Sequence, residues 1–298
     1  PVERLGGDAE RAIESVLNQE APFPFELIVI TAGPLEPGDD RIRNIVESNR
    51  NPATRRNRAA SVATGEILAF IDDDARADRR WLATAVAFFD RYPDVLAIGG
   101  PDPAPDDSTI AELVSDTLLA TRWIGSGVAA HENRRGIFDV GSPSDVALVN
   151  LFVRRSVFSG FSEKIGYIGE DTALIEDLLE RGRVVYHDGV RVVHRRRAFP
   201  GAYLRQRWRY RMKTGELFVE GRRVNEAKIV AFLTVGTISI LLVPVVAIPY
   251  IALTLILGIR ATRLPRSKWA SIPVAFAAHH LTYYFAILWG MLRALIRR

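Results

Sequence analysis

The segment from Gly65 to Asp74 runs from a short apolar stretch directly into three consecutive carboxylates. Residues 67–71 have the sequence Ile-Leu-Ala-Phe-Ile between a glycine and the acids, which predicts a central parallel strand covered on both faces. Periodicity alone also fits a buried helical segment. In an open α/β sheet, ligands bind beyond the carboxyl ends of the strands. We therefore expect Asp72, Asp73 and Asp74 to mark a ligand site.

Three carboxylates held together in a crevice repel one another, and burying them without a partner is costly. A divalent cation is the natural compensation. Asp72 and Asp74 leave the strand end on the same side, so they are expected to share one ion. The alternative is a solvated acidic turn or the start of a helix before Trp81, because acids also favour helix N-termini.

Helix-like and strand-like segments alternate along the first two thirds of the chain. Helices are predicted over residues 10–19, 52–63, 81–89, 109–123 and 172–180, and strands over 25–30, 42–46, 67–71, 95–98, 146–153, 184–186 and 190–193. This alternation predicts an α/β fold with a Rossmann-like, mostly parallel sheet. Gly99 and Gly100 indicate close backbone approach after one strand. Residues 125–144 lack periodicity and predict a long loop over the site.

The composition excludes several kinds of chemistry. The chain of 298 residues contains no cysteine, so disulfides, thiolate metal sites and cysteine nucleophiles are excluded. Any metal must be held by oxygen or imidazole. The positive charge is concentrated in residues 191–228 and near the C-terminus rather than in a stripe interleaved with aromatic residues, so nucleic acid is not the expected partner. The chain begins at Pro1 without methionine, which we interpret as a fragment or a processed start.

Two uncharged apolar runs, residues 229–259 and 269–292, indicate a membrane region. As one helix the first run would be about 46 Å long, well beyond the ~30 Å hydrocarbon core. It contains Pro244 and Pro249, so we expect broken or re-entrant helices that turn at Pro244. The second run fits one transmembrane helix. Its two histidines, His279 and His280, are expected to form hydrogen bonds between helices or at the interface.

Further charged and polar residues stand at places where ligands bind in α/β proteins. Glu170 and Asp171 follow Gly169 at the start of a predicted helix, where capping alone would explain them. His194 ends a predicted strand and is either a metal ligand or a structural hydrogen-bonding group. A cationic segment contains Arg205, Arg207 and Trp208 and is also compatible with a membrane surface.

The order of these motifs resembles that of the bacterial family 2 glycosyltransferases with the GT-A fold. The resemblance covers about residues 8 to 215 and rests on five segments: residues 12–19, 56–60 with 64–67, the Asp72-Asp73-Asp74 motif, 150–155 and 169–174. Each motif is weak alone, and their order makes the resemblance specific. One departure is Thr31-Ala32-Gly33, which stands where most members have Asp-Asp-Gly.

The resemblance implies an inverting, metal-dependent glycosyltransferase that uses a nucleotide diphosphate sugar. Asp72 and Asp74, with His194, would hold Mg²⁺ or Mn²⁺ against the diphosphate. Asp171 would be the general base for the acceptor hydroxyl, with Glu170 in support. The residues assigned to substrate binding by the same resemblance are Arg56, Asn57, Asp73, Asn150, Arg205, Arg207 and Trp208.

The resulting prediction is a GT-A domain over residues 1–215, a basic juxtamembrane segment over 216–228 and a membrane region over 229–298. We expect the enzyme in the inner membrane with its catalytic domain facing the cytoplasm. The expected acceptor is a lipid-linked saccharide or a growing surface polysaccharide. Two alternatives remain open: direct transfer onto polyprenyl phosphate, and a catalytically silent membrane subunit that binds sugar or acts as a scaffold.

Overall fold

The computed structural model describes residues 6–34, 38–125, 128, 130–163, 169–221 and 226–297. Its strands are β1 Leu27–Thr31, β2 Ile42–Val46, β3 Ile67–Ile71, β4 Ala75–Ala77, β5 Val95–Gly99, β6 Ile137–Asp139, β7 Asn150–Arg154, β8 Arg183–His187 and β9 Val192–His194. Its α-helices are α1 Gly7–Leu17, α2 Pro52–Val62, α3 Trp81–Arg91, α4 Ile110–Ala120, α5 Glu170–Arg181, α6 Gly201–Val219, α7 Glu226–Leu241, α8 Val243–Ala261 and α9 Ser271–Ile296. The predicted α/β class is confirmed.

Internal contacts group the chain into two units. The first comprises Pro1–Pro105 and Gly127–Arg195, and the second comprises Asp106–Ser126 and Arg196–Arg298. These groups describe packing, whereas the boundaries predicted at 215 and 228 concern function and remain predictions. Residues 222–225 of the predicted juxtamembrane segment lie outside the described residues. The same is true of Pro1, at the start of the chain.

The main sheet of the first unit has five strands in the order β3-β7-β5-β8-β6. β5 and β8 are parallel, whereas β7 is antiparallel to β3 and β5, and β6 is antiparallel to β8. Strands β3, β5 and β8 therefore share one direction. Separately, β1 pairs with β2 in parallel, and β4 pairs with β9 in antiparallel orientation.

The position of β3 differs from the sequence prediction. In the five-stranded sheet β3 lies at one edge and pairs with β7, which is antiparallel to it. Its burial is partial, with Leu68 buried and Ala69 exposed. The apolar run predicted burial on both faces, but the tertiary pairing inserts β7, which comes much later in the chain, between β3 and its parallel neighbour β5.

Both faces of the main sheet are covered by apolar side chains, because successive residues of a strand point to opposite faces. On β7, Leu151 and Val153 join one buried cluster, which includes Leu178 of α5. Phe152 lies between them in sequence and joins the other cluster with Trp81 of α3. The two helices therefore cover opposite faces of the sheet.

Three segments have structure that the sequence patterns did not predict. The stretch interpreted as a loop over 125–144 contains strand β6 and most of a 3-10 turn at Pro143–Asp145, while residues 126, 127 and 129 lie outside the described part. The short strand β4 follows the three carboxylates directly. The cationic segment after His194 forms α6, a helix of 19 residues.

The second unit is helical and has its own core. Leu118 of α4, Tyr203 of α6, and Ile272 and Phe276 of α9 belong to one buried cluster. Helices α6 and α9 approach closely at two glycines: a β-carbon on Gly215 would overlap the backbone of α9, and one on Gly290 would overlap that of α6. Backbone contact of this kind requires glycine.

The first apolar run is broken, as predicted, although the break falls at Leu242 and Pro244 lies in the first turn of α8. Among the described residues, α8 alone is both long and apolar enough to cross a membrane. Several of its large side chains are exposed, with Ile248 79% exposed, whereas Tyr250, Leu255 and Ile259 pack against the core of the second unit. The run at 269–292 forms α9, and its role as a span remains a prediction.

The predicted role of the two histidines in α9 is confirmed. His279 Nδ1 lies 2.8 Å from the hydroxyl of Tyr203 on α6. His280 Nδ1 lies 2.9 Å from the hydroxyl of Tyr250 on α8, and its Nε2 is 2.8 Å from the carbonyl of Ile124. Both side chains therefore connect helices of the second unit.

Candidate active site

The three carboxylates after β3 form a turn that leads into β4. The backbone N–H of Ala75 donates to the carbonyl of Asp72, and β4 then pairs with β9 so that Ala75 lies opposite His194. The N–H of Arg195 donates to the carbonyl of Asp74. The pairing of β4 with β9 therefore places His194 beside Asp74, although the two residues are far apart in the sequence.

Asp72, Asp74 and His194 offer one ligand atom each within 4.8 Å of one another, and all three side chains are half-buried. His194 Nε2 lies 3.2 Å from Asp74 Oδ1. Two carboxylate oxygens and one imidazole nitrogen form a donor set suited to a divalent first-row metal. The structure thus brings together the three residues that the sequence analysis assigned to the cation.

Arg56 from α2 compensates part of the negative charge of this cluster. Its Nη2 donates to Asp72 Oδ1 at 3.0 Å, and its side chain is only 12% exposed. Its guanidinium also lies over the ring of Phe161, 5.9 Å from the centroid. Burial raises the pKa of the Asp73 carboxyl, and the adjacent Asp74 and Asp72 raise it further.

A buried carboxylate that the sequence analysis did not identify lies behind His194. Asp102 is 0% exposed, its Oδ2 is 3.3 Å from His194 Nδ1, and its Oδ1 is 2.8 Å from His131 Nδ1. Asp102 lies in a segment of prolines and acids that predicted only a loop, and His131 lies in the region interpreted as a loop over the site. No local pattern in the sequence links these residues.

Asn57 and Asn150, both predicted to bind substrate, make structural hydrogen bonds. The side chain of Asn57 accepts from the backbone N–H of Phe161 and donates to its carbonyl. Asn150 is 0% exposed; it accepts from Trp81 Nε1 and donates to the carbonyls of Pro101 and Val190. The structure therefore places Asn150 inside the protein, next to the loop that carries Asp102.

The two acids predicted for proton transfer begin α5. Gly169 precedes them as the N-cap residue with a φ of 96°, a left-handed conformation that favours glycine. The half-buried Asp171 accepts from the backbone N–H of Thr172 at 2.8 Å. It therefore also caps its own helix. The side chain of Glu170 lies outside the described part of the structure, and the catalytic roles of both residues remain predictions.

Arg205, Arg207 and Trp208 lie on α6 in the second unit. Arg205 is exposed and Trp208 is 37% exposed. Arg207 is half-buried, with its guanidinium over the rings of Tyr203 and Tyr210 at 5.3 and 5.4 Å from their centroids. Part of the cationic segment therefore packs within its own unit, and its role in substrate binding remains a prediction.

Residues 7–142 match the family model described as glycosyl transferase family 2. A glucosyl-dolichyl phosphate glucuronosyltransferase of Haloferax volcanii is 34% identical over 98 residues, which are 30% of this chain and 31% of that protein. The chain therefore spans less than a third of the length of this relative.

A likeness to a solved structure extends further along the chain. The mannosyltransferase PcManGT from Pyrobaculum calidifontis, in complex with GDP-Man and Mn²⁺, superposes with a TM-score of 0.54 at 18% identity. The superposition covers 100% of this chain and 86% of that one. At this identity the likeness concerns the fold, and it agrees with the predicted GT-A architecture.

Proposed function

We propose that the protein is a family 2 glycosyltransferase, because residues 7–142 match the model of that family. It transfers a sugar from a nucleotide diphosphate sugar to a lipid-linked saccharide, with inversion at the anomeric carbon. The observation that carries the proposal is the convergence of Asp72, Asp74 and His194 beyond the end of β3. This convergence supports a cation site at the sheet edge where α/β proteins bind ligands.

The donor set favours Mn²⁺ over Mg²⁺, because Mg²⁺ takes oxygen ligands in near-ideal octahedral geometry and one donor here is an imidazole nitrogen. The bound ion would neutralise the charge that develops on the leaving diphosphate. Asp72, Asp74 and His194 would hold it. Arg56, 3.0 Å from Asp72, supplies a further positive charge at the same place.

The transfer needs a group that removes a proton from the acceptor hydroxyl. We assign this role to Asp171, which lies in the first turn of α5. The acceptor oxygen forms a bond to the anomeric carbon, the bond from that carbon to the diphosphate oxygen breaks, and the nucleoside diphosphate leaves with the electron pair. Asp171 takes the proton.

Two observations support a lipid-linked acceptor at a membrane. The relative from Haloferax volcanii is named for a glucosyl-dolichyl phosphate acceptor, which is a saccharide already attached to a lipid phosphate. Helix α8 has the length and composition of a membrane span and exposes large apolar side chains. We place the protein in the cytoplasmic membrane with the site on the cytoplasmic side, where nucleotide sugars are made.

The test is transfer by the purified full chain in detergent with Mn²⁺. Radiolabelled UDP- and GDP-sugars are each offered with polyprenyl phosphate and with a polyprenyl-phosphate monosaccharide, with EDTA as the metal-free control. We expect metal-dependent transfer to the lipid-linked monosaccharide. Labelling of polyprenyl phosphate alone would establish direct transfer onto the lipid. Binding of a nucleotide sugar without hydrolysis or transfer would support the silent membrane subunit and refute the enzyme.

A further inference from the structure

We propose that Asp102 is a positioning residue for the cation site, holding the His194 ring so that its Nε2 lone pair points toward Asp72 and Asp74. This inference rests on the proposed metal-dependent function. Asp102 is buried and is not one of the three proposed ligands. Its role would be to fix the orientation of His194, which is one of them.

The atoms around Asp102 have the arrangement that this role requires. The Nδ1 of His194 faces Asp102 Oδ2 at 3.3 Å, while the Nε2 of the same ring faces Asp74 Oδ1 at 3.2 Å. The carboxylate is 0% exposed, so water does not compete for its oxygens. An ionised carboxylate only accepts hydrogen bonds. When a cation takes the Nε2 lone pair in place of a proton, the proton of the neutral His194 ring stands on Nδ1, where Asp102 accepts it.

Three hydrogen bonds hold the backbone on either side of Asp102 in place. The carbonyl of Pro101 accepts from the side chain of Asn150 and from the N–H of Val192, each at 3.2 Å. The N–H of His194 donates to the carbonyl of Pro103 at 2.9 Å. Because the bonds to Val192 and His194 join residues 101–103 directly to β9, the carboxylate and the imidazole keep their relative position. This also gives the buried Asn150 a function next to the site.

The second oxygen of Asp102 binds another ring. His131 Nδ1 lies 2.8 Å from Oδ1, and the N–H of Asp102 donates to the carbonyl of Ala130 at 3.3 Å. Two ring N–H donors satisfy a buried negative charge that would otherwise be costly. The His131 contact raises a rival explanation, in which Asp102 serves only to hold residues 130–131 in place.

The first measurement uses the wild-type full chain saturated with Zn²⁺, a diamagnetic ion, because without an ion both ring nitrogens of His194 face carboxylates. In protein labelled with ¹⁵N-histidine, long-range ¹H–¹⁵N spectra report which ring nitrogen carries the proton, and the chain has only five histidines. The His194 signals are identified by their loss in His194→Gln. We expect the neutral ring to be protonated on Nδ1. A proton on Nε2 would overturn the proposal without any change at Asp102.

The second measurement is the Mn²⁺ dissociation constant by calorimetry. Asp102→Asn keeps the size of the side chain but removes its charge and leaves a single acceptor oxygen for the rings of His131 and His194. We therefore expect Mn²⁺ binding to be about 10- to 100-fold weaker, as is usual when the carboxylate behind a metal-bound histidine is changed. The matched control is Asp145→Asn, in the same unit, whose carboxylate accepts from the N–H groups of Gly141 and Ser142.

The variants separate the possible explanations. We expect Asp145→Asn and His131→Ala to bind Mn²⁺ as tightly as the wild type. An equal loss of Mn²⁺ affinity in His131→Ala would attribute the effect to residues 130–131. An equal loss in Asp145→Asn would attribute it to general destabilisation. Each of these results refutes the proposal, as does an unchanged Mn²⁺ affinity in Asp102→Asn. Absence of Mn²⁺ binding by the wild type would instead refute the cation site of the proposed function.

Discussion

Replacing Gly100 with alanine tests whether the loop behind His194 is as tightly packed as the structure shows. A β-carbon at Gly100 would overlap the carbonyl oxygens of Val190 and His187. Both obstacles are backbone atoms, so neither rotates away as a flexible side chain would. The cost of such overpacking is about 1–3 kcal/mol. For a domain of this size, that corresponds to a decrease in Tm of about 2–12 °C.

The same substitution is expected to weaken Mn²⁺ binding. Gly100 precedes Pro101 and Asp102, and relief of the overlap requires this segment to move away from Val190. The movement disturbs the bonds that join the segment to β9, including the bond from the His194 N–H to the carbonyl of Pro103. Weaker metal binding should therefore accompany the lower Tm.

The assay is thermal unfolding followed by circular dichroism, with a Mn²⁺ titration at a temperature where the variant is folded. Gly141→Ala is the matched control, because a β-carbon at Gly141 meets no atom within 4 Å. Its Tm should equal that of the wild type. An unchanged Tm for Gly100→Ala would show that the loop adapts freely, and an equal decrease in the control would show that the effect is not local.

Three further predictions concern the metal, the base and the membrane. Asp72→Asn or Asp74→Asn should abolish Mn²⁺-dependent binding of a nucleoside diphosphate in calorimetry; unchanged binding by both would remove the cation site. Asp171→Asn should lower transfer at least ~10²-fold while leaving Mn²⁺ and donor binding intact, and a Glu170→Gln variant that is inactive beside an active Asp171→Asn would reverse the two roles. Ile248→Lys places a charge on the exposed face of α8, at a cost of about 2.5–3.5 kcal/mol at mid-membrane. It should release part of the protein in a carbonate wash, and full retention would show that α8 is not the anchor.

The sequence was sufficient for the features that depend on neighbouring residues. Hydrophobic runs located most strands and helices of the first unit, because burial of one face imposes a period on the sequence. The acids after β3 and the pair at the start of α5 were identified for the same reason: their charges stand beside apolar runs. The break in the first C-terminal run was predicted from Pro244, which lies two residues from the observed break at Leu242.

Features that depend on distant pairings were not visible in the sequence. Strand β4 has three residues and no pattern of its own, and it exists because β9 pairs with it. The edge position of β3 results from the insertion of β7, which no periodicity encodes. Asp102 binds His131 and His194, which are 29 and 92 residues away in sequence. The three residues of the proposed cation site were therefore identified from the sequence, whereas Asp102 was not.

The C-terminal helices show that hydrophobicity alone overestimates how much of an apolar helix is exposed on the surface. The run at 269–292 is nearly as apolar as α8, yet Gly290 of α9 lies directly against the backbone of α6, and Phe276 is 0% exposed. In α8, by contrast, Val245 and Ile248 are more than 70% exposed. Truncation after Gly221 would remove α8 together with α9, and so would also expose the face of α6 that α9 covers. A charged substitution on α8 is therefore the cleaner test of anchoring, since it changes the surface that we propose faces lipid and leaves the packing of α6 on α9 intact.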